Sequence, residues 1–396
     1  TTWKPRELNK NNKFDLMIIG GGVLGTFHAW HAIQRGLKVV LFERHQAPQG
    51  ATVRNFGQVV PSGMDHHWQE LGRESLRIYQ SIQAKFDISV RQLGSIYIAS
   101  DEEELTLIEE LHSINDDNDY RSEIWTVDQC LQRYPQLRRE YCRGGLFFPE
   151  ELSVNPRTMV HMLQRFLATS PNYSSHFQTC IGRLKKGNQE RIQAFTTCGQ
   201  EFTADKAIVC SGSEFQTLFS EEFEASDLTA VKLQMVRLRP QASSVIPGNV
   251  LTGRSIRRYE SFAQCPSWTE IKSRESTDCF ASKWGIHILF KQEADGGIIL
   301  GDSHQYAAAG QFDHLGFDLR ADINDYFISE GRKIMDLPSW KIEMMWHGVY
   351  CQTGLAAGIF TKTMDNHIHV ATGIGGKGLT SSAGFAEHHL GEIYND

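Results

Sequence analysis

FDLMIIGGGVLG (residues 14–25), a helix-like stretch and KVVLFE (residues 38–43) follow one another near the start of this 396-residue chain and decide its fold. Gly20, Gly22 and Gly25 have the G-x-G-x-x-G spacing directly after an apolar, strand-like run. The first glycine permits a tight turn, the second lets the backbone approach a pyrophosphate, and the third lets helix pack on strand. The N-terminus of the helix presents unpaired N–H groups to the phosphates. The pattern predicts a dinucleotide-binding βαβ unit.

An acidic residue at the end of the second predicted strand indicates which dinucleotides fit. Glu43 stands at the distance from the glycines where a carboxylate hydrogen-bonds a ribose 2′-hydroxyl. This favours FAD or NAD over NADP. The alternative is a glycine-rich turn that binds nothing, and the order of strand, glycines, helix and acid argues against it.

Composition and charge exclude several classes of protein. With 40% hydrophobic and 22% charged residues, the chain has the composition of an ordinary soluble globular protein. A formal net charge of -7 gives no indication of a nucleic-acid partner. No apolar run approaches the roughly 20 residues of a membrane span, and no leader-like segment is recognisable at the N-terminus. We therefore expect a soluble, cytoplasmic protein with no membrane or nucleic-acid partner.

The cysteines and histidines show no metal-binding spacing. The eight cysteines include no C-x-x-C pair and are expected to be reduced thiols. The adjacent pairs His66-His67 and His388-His389 would face different directions on a helix. We therefore predict no metal site.

The apolar periodicity divides the chain into helical and strand-rich parts. It predicts helices at residues 66–86, 101–112 and 154–170, a strand-turn-strand at 88–99, a buried strand at 206–213, and an antiparallel region at 232–300 that contains the alternating stretch GIHILF (285–290). The predicted fold class is α/β, with a discontinuous Rossmann-like parallel sheet and an antiparallel-sheet substrate domain over it.

These elements define provisional domains. The cofactor domain is predicted at residues 14–88, 152–226 and 338–396, the substrate domain at 89–151 and 227–337, and a flexible lead-in at 1–13. Ligands commonly bind in the cleft between two such domains. Nothing in the sequence indicates an oligomeric state.

A second glycine-rich turn, TGIGGKGL (372–379), bears on the choice between a flavin and a nicotinamide. It joins a predicted strand to a predicted helix, as the first turn does. A reduced flavin carries negative charge at its pyrimidine edge, and the N–H groups of this turn together with Lys377 would stabilise that charge. The alternative is a solvated surface lysine. The two turns together favour FAD.

With these segments in place, the sequence resembles the FAD-dependent amine and amino-acid oxidoreductases that include D-amino-acid oxidase, glycine oxidase and sarcosine oxidase. The resemblance covers residues 15–392. It rests on the order and spacing of the 20–25 glycines with Glu43, ATVRNFG (51–57), AIVCSG (207–212), GIILG (297–301), WHG (346–348) and TGIGGKGL (372–379). It implies hydride transfer from the carbon next to an amine nitrogen to flavin N5, giving an imine that water hydrolyses to a carbonyl compound.

The resemblance also implies which residues contact FAD. The segment matching Arg54, Asn55 and Gly57 lies beside the isoalloxazine ring in that family, and the turn matching 375–378 lies at its pyrimidine side. The predicted FAD-binding residues are Gly20, Gly22, Val23, Leu24, Gly25, Glu43, Arg44, Arg54, Asn55, Phe56, Gly57, Ser211, Gly212, Gly348, Gly375, Gly376, Lys377, Gly378 and Leu379. Within the family, RNFG (54–57) followed by Pro61, together with GDSHQY (301–306), looks most like a branch associated with phosphonate catabolism and thought to act on aminoalkylphosphonates.

Three positions depart from the sarcosine oxidases. Gly358 stands where they tether FAD through a cysteine, and the nearest thiol is Cys351, so noncovalent FAD is predicted. Ile299 stands where they carry an oxygen-activating lysine, which leaves oxidase and dehydrogenase both open. Thr380 stands where a carboxylate-binding lysine is expected, which makes a simple carboxylate a less secure substrate handle.

The predicted substrate is a small amine with an anionic group. The candidates to bind that group are Arg54, Arg257, Arg258, His304 and Lys377. Arginine offers a planar fork for carboxylate or phosphonate, and His304 could take up charge near neutral pH. The alternatives are a solvated turn for the paired arginines and a histidine bonded to Asp302 or to backbone. Of the candidates, Arg54, Arg258, His304 and Lys377 are predicted to act in the site.

Two other functions stay open on the sequence. A flavin-dependent hydroxylase that uses NAD(P)H shares the first glycine motif, but its usual second motif is not evident. A flavin-bound subunit without catalytic activity would be yellow, and no amine would bleach it.

Overall fold

The protein is described by a computed structural model that covers residues 13–187, 190–243 and 245–395. Most of the predicted lead-in lies outside the described residues, although Lys13 already belongs to the first strand. The strands are β1 Lys13–Ile19, β2 Val39–Phe42, β3 Gln58–Val59, β4 Ser95–Ala99, β5 Glu123–Trp125, β6 Gly144–Phe148, β7 Leu152–Ser153, β8 Tyr173–His176, β9 Ile181–Lys186, β10 Ile192–Thr196, β11 Glu201–Val209, β12 Thr229–Leu238, β13 Asn249–Leu251, β14 Leu289–Gln292, β15 Ile298–Gly301, β16 Gln305–Ala308, β17 Ile342–Gln352, β18 Phe360–Met364 and β19 Ile368–Thr372.

Helices cover the sheets and connect their strands. They are α1 Val23–Gln34, α2 His66–Gln83, α3 Glu102–Asp117, α4 Val127–Arg133, α5 Met159–Leu167, α6 Ser220–Glu224, α7 Gly253–Ile256, α8 Trp268–Ser273, α9 Phe280–Lys283, α10 Ala321–Ile334 and α11 Gly378–Tyr394. Among the described residues, none of these helices combines the length and apolar character needed to cross a bilayer.

The first sheet contains the predicted βαβ unit. Its main path runs β18-β19-β11-β1-β2-β8, in which all pairs are parallel except β18 with β19. β2 and β19 are buried along their whole length and β1 and β11 in their second halves, as a sheet covered on both sides requires, whereas the edge strand β8 is only partly buried. β1 lies between β2 and β11, so strands from the N-terminal, middle and C-terminal parts of the chain share one sheet. The predicted discontinuous parallel sheet is confirmed.

The second sheet is largely antiparallel. It runs β16-β12-β15-β14-β13-β4-β6-β5, with β17 paired to β12 along the whole length of β12, and only β13 with β4 is parallel. The mixed α/β fold class predicted from the sequence is therefore confirmed. One assignment differs. β17 lies in this sheet, whereas the sequence places residues 338–396 in the cofactor domain. The exact domain boundaries stay a prediction.

Several element boundaries also differ from expectation. α5 begins at Met159 rather than near residue 154, because the N–H groups of Thr158 and Met159 both donate to the Asn155 carbonyl and form a separate turn first. α3 continues to Asp117, and Asp101 caps it by accepting from the Glu104 N–H at 2.8 Å.

The strands of the 232–300 region pair antiparallel with one another as predicted, but helices interrupt the region. Three short helices, α7 to α9, and a 3-10 turn separate β13 from β14. Within GIHILF (285–290), only the last two residues belong to β14. The backbone before them leaves the regular ladder, because the His287 N–H donates to the Asp302 carbonyl beyond the end of β15. This departure brings His287 to the wall of the cavity between the sheets.

Candidate active site

A cavity of about 1370 Å³ lies between the two sheets. Ligand pockets commonly enclose roughly 300 to 1,000 Å³, so this one has room for a dinucleotide and a small substrate. Its wall includes the β1–α1 turn, the segment from Pro48 to Met64, the turn after β11, and the turn before α11. Residues of the second sheet close the remaining side.

The β1–α1 turn has the close backbone approaches that its glycine spacing predicts. A Cβ on Gly20 would collide with the Cys210 carbonyl, and Gly20 has a φ of +111°. A Cβ on Gly25 would collide with the Gly20 carbonyl, so this glycine lets α1 pack on the turn. Gly22 precedes α1 and lines the cavity. The N-terminus of α1 therefore opens onto the cavity.

Glu43 is buried at the end of β2 and lines the same cavity. Its Oε2 accepts from the Gly21 N–H at 3.0 Å, and its Oε1 accepts from the His45 N–H at 2.9 Å. Each carboxylate oxygen has a second lone pair. Glu43 can therefore fix the glycine turn and still accept a hydrogen bond from a ribose hydroxyl.

The C-terminal glycine turn reaches the cavity from another side. Gly375 and Gly376 line it, and α11 begins at Gly378. Lys377 also lines the cavity, with its Nζ 3.3 Å from Glu260 Oε1 and 5.6 Å from the centre of the Trp68 ring. Its side chain is 13% exposed, so the solvated-lysine alternative does not describe it.

Most of the predicted FAD-binding residues line this one cavity. Those that line the cavity are Gly20, Gly22, Val23, Leu24, Glu43, Arg44, Arg54, Asn55, Phe56, Ser211, Gly212, Gly348, Gly375, Gly376, Lys377, Gly378 and Leu379. Gly25 and Gly57 do not. Gly57 has a φ of +75°, and a Cβ there would collide with the Val154 carbonyl, so its role is to fit the turn against the chain behind it.

These features fit a flavin dinucleotide. Two helix N-termini, of α1 and α11, open onto one elongated cavity, and each can interact with negative charge. The first glycine turn would hold a pyrophosphate and Glu43 a ribose. The second turn, with Lys377, would hold the far end of the cofactor.

The four predicted site residues, Arg54, Arg258, His304 and Lys377, all line the cavity. The guanidinium of Arg258 donates to the Gly285 carbonyl and to the Tyr306 hydroxyl, both at 2.9 Å. Because a guanidinium has five donors, it retains donors for an anion. The guanidinium of Arg54 donates to the His347 carbonyl at 3.3 Å.

His304 differs from expectation in its charge. Its Nδ1 lies 2.9 Å from the Gly285 carbonyl, and burial lowers the pKa of His304 to about 3. The ring is therefore neutral near pH 7. His304 would meet a ligand as a neutral hydrogen-bonding group and not as a cation.

Arg257 does not belong to the site. It does not line the cavity, and its guanidinium pairs with the carboxylates of Asp101, Glu103 and Glu104 at 2.8 to 3.0 Å. These acids lie at the start of α3, where the helix dipole favours negative charge. Because Arg257 follows α7 directly, its ion pairs attach the end of α7 to the start of α3. Its candidacy as an anion ligand is wrong, because its donors face acids.

Three further cavity residues were not predicted as site residues: His287, Asp302 and Tyr350. His287 and Asp302 are buried, and Nε2 of His287 lies 2.9 Å from Asp302 Oδ1. A histidine inside an apolar alternation is ordinarily assigned to the core. The available signal was the polar run that follows β15. The neighbouring strand β14 begins two residues after His287.

The two sheets and the two-turn cavity are those of a dinucleotide-binding protein. Residues 15–389 match the family described as DAO, FAD dependent oxidoreductase, and the chain belongs to this family. It is therefore an FAD-dependent enzyme. The recognition from the sequence motifs, the cofactor and the enzyme class are confirmed at this level.

A curated relative by sequence is the aerobic glycerol-3-phosphate dehydrogenase of Staphylococcus aureus, 24% identical over 180 residues. That match covers 42% of this chain and 32% of the relative, so the chain spans about a third of that protein's length.

Several solved structures share the fold of this protein over nearly the whole chain. Glycine oxidase from Geobacillus kaustophilus has a TM-score of 0.76 at 15% identity and covers 98% of this chain and 96% of its own. L-proline dehydrogenase from P. horikoshii also has a TM-score of 0.76, at 15% identity, with 97% and 94% covered. L-alpha-glycerophosphate oxidase from Mycoplasma pneumoniae, solved with FAD bound, has a TM-score of 0.75 at 16% identity, and the match covers 96% of this chain and 95% of the oxidase. At these identities the likeness concerns the fold.

Proposed function

We propose that this enzyme holds FAD noncovalently and oxidises the C–N bond of a small amine that carries an anionic group, with aminoalkylphosphonates among the candidate substrates. The product is an imine, which water hydrolyses to a carbonyl compound. The observation that carries the proposal is the half-buried guanidinium of Arg258 in the wall of the cavity, with donors to spare. The glycine oxidase and L-proline dehydrogenase structures show that this fold accommodates enzymes named for amino-acid substrates.

The cations of the wall suit an anionic substrate. Arg258 is fixed by the Gly285 carbonyl and the Tyr306 hydroxyl, which orient its planar fork before a ligand arrives. Such a fork matches carboxylate and phosphonate oxygens. A dianion such as phosphonate would favour a second cation, and Arg54 and Lys377 line the same cavity.

The protein's part in the reaction is to position the substrate. Bound FAD supplies the hydride acceptor, so no strong acid or base is required of the chain. The neutral ring of His304 and the hydroxyl of Tyr350 offer hydrogen bonds in the cavity, and apolar residues such as Leu289 and Met235 exclude water from it. Holding the reacting C–H bond in one orientation is what such a wall contributes to the rate.

A second candidate reaction is oxidation of a hydroxyl group in a phosphorylated alcohol. It is favoured by the partial sequence match to an aerobic glycerol-3-phosphate dehydrogenase. The same arginine would bind the phosphate, so the anion site does not distinguish the two reactions.

The test is product analysis. The purified protein is incubated with glycine, sarcosine, 2-aminoethylphosphonate, N-methyl-2-aminoethylphosphonate and glycerol 3-phosphate. Each incubation is run in air with and without NAD(P)H, and separately with an artificial electron acceptor. We expect a carbonyl product and a released amine or ammonia from at least one amine, without NAD(P)H. Product only from the alcohol would support the second reaction, and product only with NAD(P)H would support a hydroxylase.

A further inference from the structure

A buried carboxylate in the cavity wall has no role in the binding of the anionic group. Asp302 follows β15, lines the cavity and is 6% exposed. Nε2 of His287 lies 2.9 Å from its Oδ1, which is fully buried, whereas its Oδ2 is not fully buried and has no hydrogen-bond or ion-pair partner among the described residues. Buried ionised groups are normally fully paired because removing a charge from water is costly. Asp302 therefore has capacity for a cationic partner that the chain does not supply in full.

The basic residues beside Asp302 are directed elsewhere. His304 is neutral, and its Nδ1 lies 2.9 Å from the Gly285 carbonyl but 3.9 Å from Asp302 Oδ1. The guanidinium of Arg258 is bonded to Gly285 and Tyr306. Burial alone would raise the pKa of Asp302, but the neighbouring basic groups, His287 first, hold it below its usual range. The carboxylate is therefore negative at neutral pH.

His287 fixes the place of this negative charge. Its Nδ1 lies 3.2 Å from the Ser255 hydroxyl, and its Nε2 lies against Asp302. The ring is buried and nearly parallel to that of His304, with centroids 5.3 Å apart. Because both nitrogens of His287 are engaged, the imidazole holds Asp302 at one position in the wall. His287 is thus a positioning residue.

We propose that the carboxylate of Asp302 binds the amino group of the substrate and selects an amine over a hydroxyl compound of the same shape. An ammonium group offers three N–H donors and a positive charge, and hydrogen bonds between charged partners are about twice as strong as neutral ones. A hydroxyl group offers one donor and no charge. The bond also survives loss of the ammonium proton, since a neutral amine keeps N–H donors.

This inference rests on the proposed function and adds to it. Arg258 and Asp302 place opposite charges in the wall of one cavity, so the preferred substrate is a zwitterion whose cationic and anionic ends are both recognised. The sequence alone indicated binding residues only for the anionic group of the substrate. Asp302 is the residue that separates the amine reaction from the alcohol reaction left open above.

The test compares matched ligands on the FAD-loaded enzyme. Dissociation constants are measured by anaerobic stopped flow, from the flavin absorbance change that precedes any reduction, for two pairs that differ only in amine against hydroxyl: 2-aminoethylphosphonate with 2-hydroxyethylphosphonate, and glycine with glycolate. Wild type should bind the amine of at least one pair roughly 10- to 100-fold more tightly, the range expected for a charged hydrogen bond. Asp302→Asn should lose that preference while the hydroxyl member binds as before or more tightly.

Asp325→Asn is the matched control, because it removes an exposed carboxylate from α10, outside the cavity, and should keep the preference. FAD content and melting temperature show whether each variant is folded, and Asp302→Ser is the second variant. If neither variant retains FAD, the inference is judged on the wild-type enzyme, where equal binding of the amine and hydroxyl members of each pair overturns it.

Equal binding of amine and hydroxyl members to wild type would overturn the inference, as would a preference that persists in Asp302→Asn. The two proposals fail separately. If amines are oxidised but the variant keeps the preference, Asp302 is not the selector and the proposed function stands. If the preference depends on Asp302 but no amine is oxidised, the recognition stands and the proposed function fails.

Discussion

Single atoms decide whether the first turn can hold a cofactor. Gly25 lies against the Gly20 carbonyl so closely that one added methyl group would collide with it. The collision is with backbone, which cannot rotate away as a side chain can. The same turn is tied to β2 through Glu43 and the Gly21 N–H. A side chain at position 25 therefore shifts α1 and the turn that faces the cavity.

For Gly25→Ala we expect a loss of roughly 1 to 3 kcal/mol in the free energy of unfolding, the usual cost of overpacking. FAD affinity should fall at least about tenfold, which corresponds to about 1.4 kcal/mol. Thermal unfolding and FAD titration of the apoprotein measure the two effects. Gly391→Ala in α11, where the nearest atom to a Cβ is 3.8 Å away, is the control. Equal behaviour of the two variants would contradict the packing argument.

Arg258→Ala should raise KM for the amine substrate by roughly 10- to 100-fold, because it removes charge-assisted hydrogen bonds to the anionic end. FAD content should be unchanged. Steady-state kinetics and the flavin-to-protein absorbance ratio give these values. Arg239→Ala, an exposed arginine just after β12, should leave KM within twofold of wild type. An unchanged KM in Arg258→Ala would remove this residue from the site.

For single residues, the sequence predicted the roles of the motif glycines better than it predicted the contacts of the charged residues. The glycine spacing has a local cause, a turn between two consecutive elements, so it is readable in one stretch. The contact between His287 and Asp302 depends on where the chain enters β14 and leaves β15, and a local pattern does not show that these two points meet. Arg257 and Arg258 are adjacent and chemically alike, yet only tertiary contacts send one to acids and the other to the cavity.

Helices α1 and α11 both begin at the cavity, and they pack against each other. Helices α1 and α11 are in contact, and Nε2 of His28 lies 2.9 Å from Nδ1 of His389 between them. Burial lowers the pKa of His28 below its ordinary value and that of His389 to about 4. Both rings are therefore neutral in the folded protein at neutral pH. The packing that aligns the two cofactor-facing helices requires uncharged histidines.

Stability should consequently fall in acid. Because the folded-state pKa of each histidine is depressed, the unfolded chain binds more protons below pH 6.5, and protonation favours unfolding. Between pH 6.5 and about 4, each histidine should cost about 1.4 kcal/mol per pH unit. Denaturant unfolding across this window should show the slope, and His389→Gln should reduce it. His388→Gln, at an exposed position, is the control. A slope unaffected by His389→Gln would contradict the assignment.

Elements with their own sequence signal were predicted, and elements defined by distant partners were not. β1, α1 and β2 follow from periodicity and glycines alone. β17 pairs with β12, more than a hundred positions earlier in the chain, so its membership of the second sheet could not be read locally. The short helices between β13 and β14 are held partly by the ion pairs of Arg257, which also join distant segments.

At the scale of the whole molecule, three separated stretches of chain build one sheet, and a second sheet closes the cavity over it. In the proposed site, the cofactor would be held by contacts that converge from both ends of the chain. No bond to FAD is needed for this. Gly358 stands at the position of the tethering cysteine, and the buried Cys351 thiol lies 3.2 Å from the Gly212 carbonyl and from Thr372 Oγ1.

Acid precipitation should therefore release the flavin. We expect all flavin absorbance in the supernatant and none in the washed protein pellet, because the proposed site holds FAD through noncovalent contacts alone. Mass spectrometry of the denatured chain should give the mass of the sequence alone. Flavin that stays with the pellet would show a covalent link and contradict the prediction.

Anaerobic mixing tests the central claim, that this enzyme passes a hydride from an anionic amine to bound FAD, most directly. The purified holoprotein is mixed without oxygen with amino acids, N-methyl amines and aminoalkylphosphonates, and separately with glycerol 3-phosphate, and flavin absorbance is followed. We predict that at least one amine bleaches the flavin, and admission of air then distinguishes oxidase from dehydrogenase. Flavin that stays oxidised with every amine, or that only a hydroxyl compound bleaches, would contradict the account.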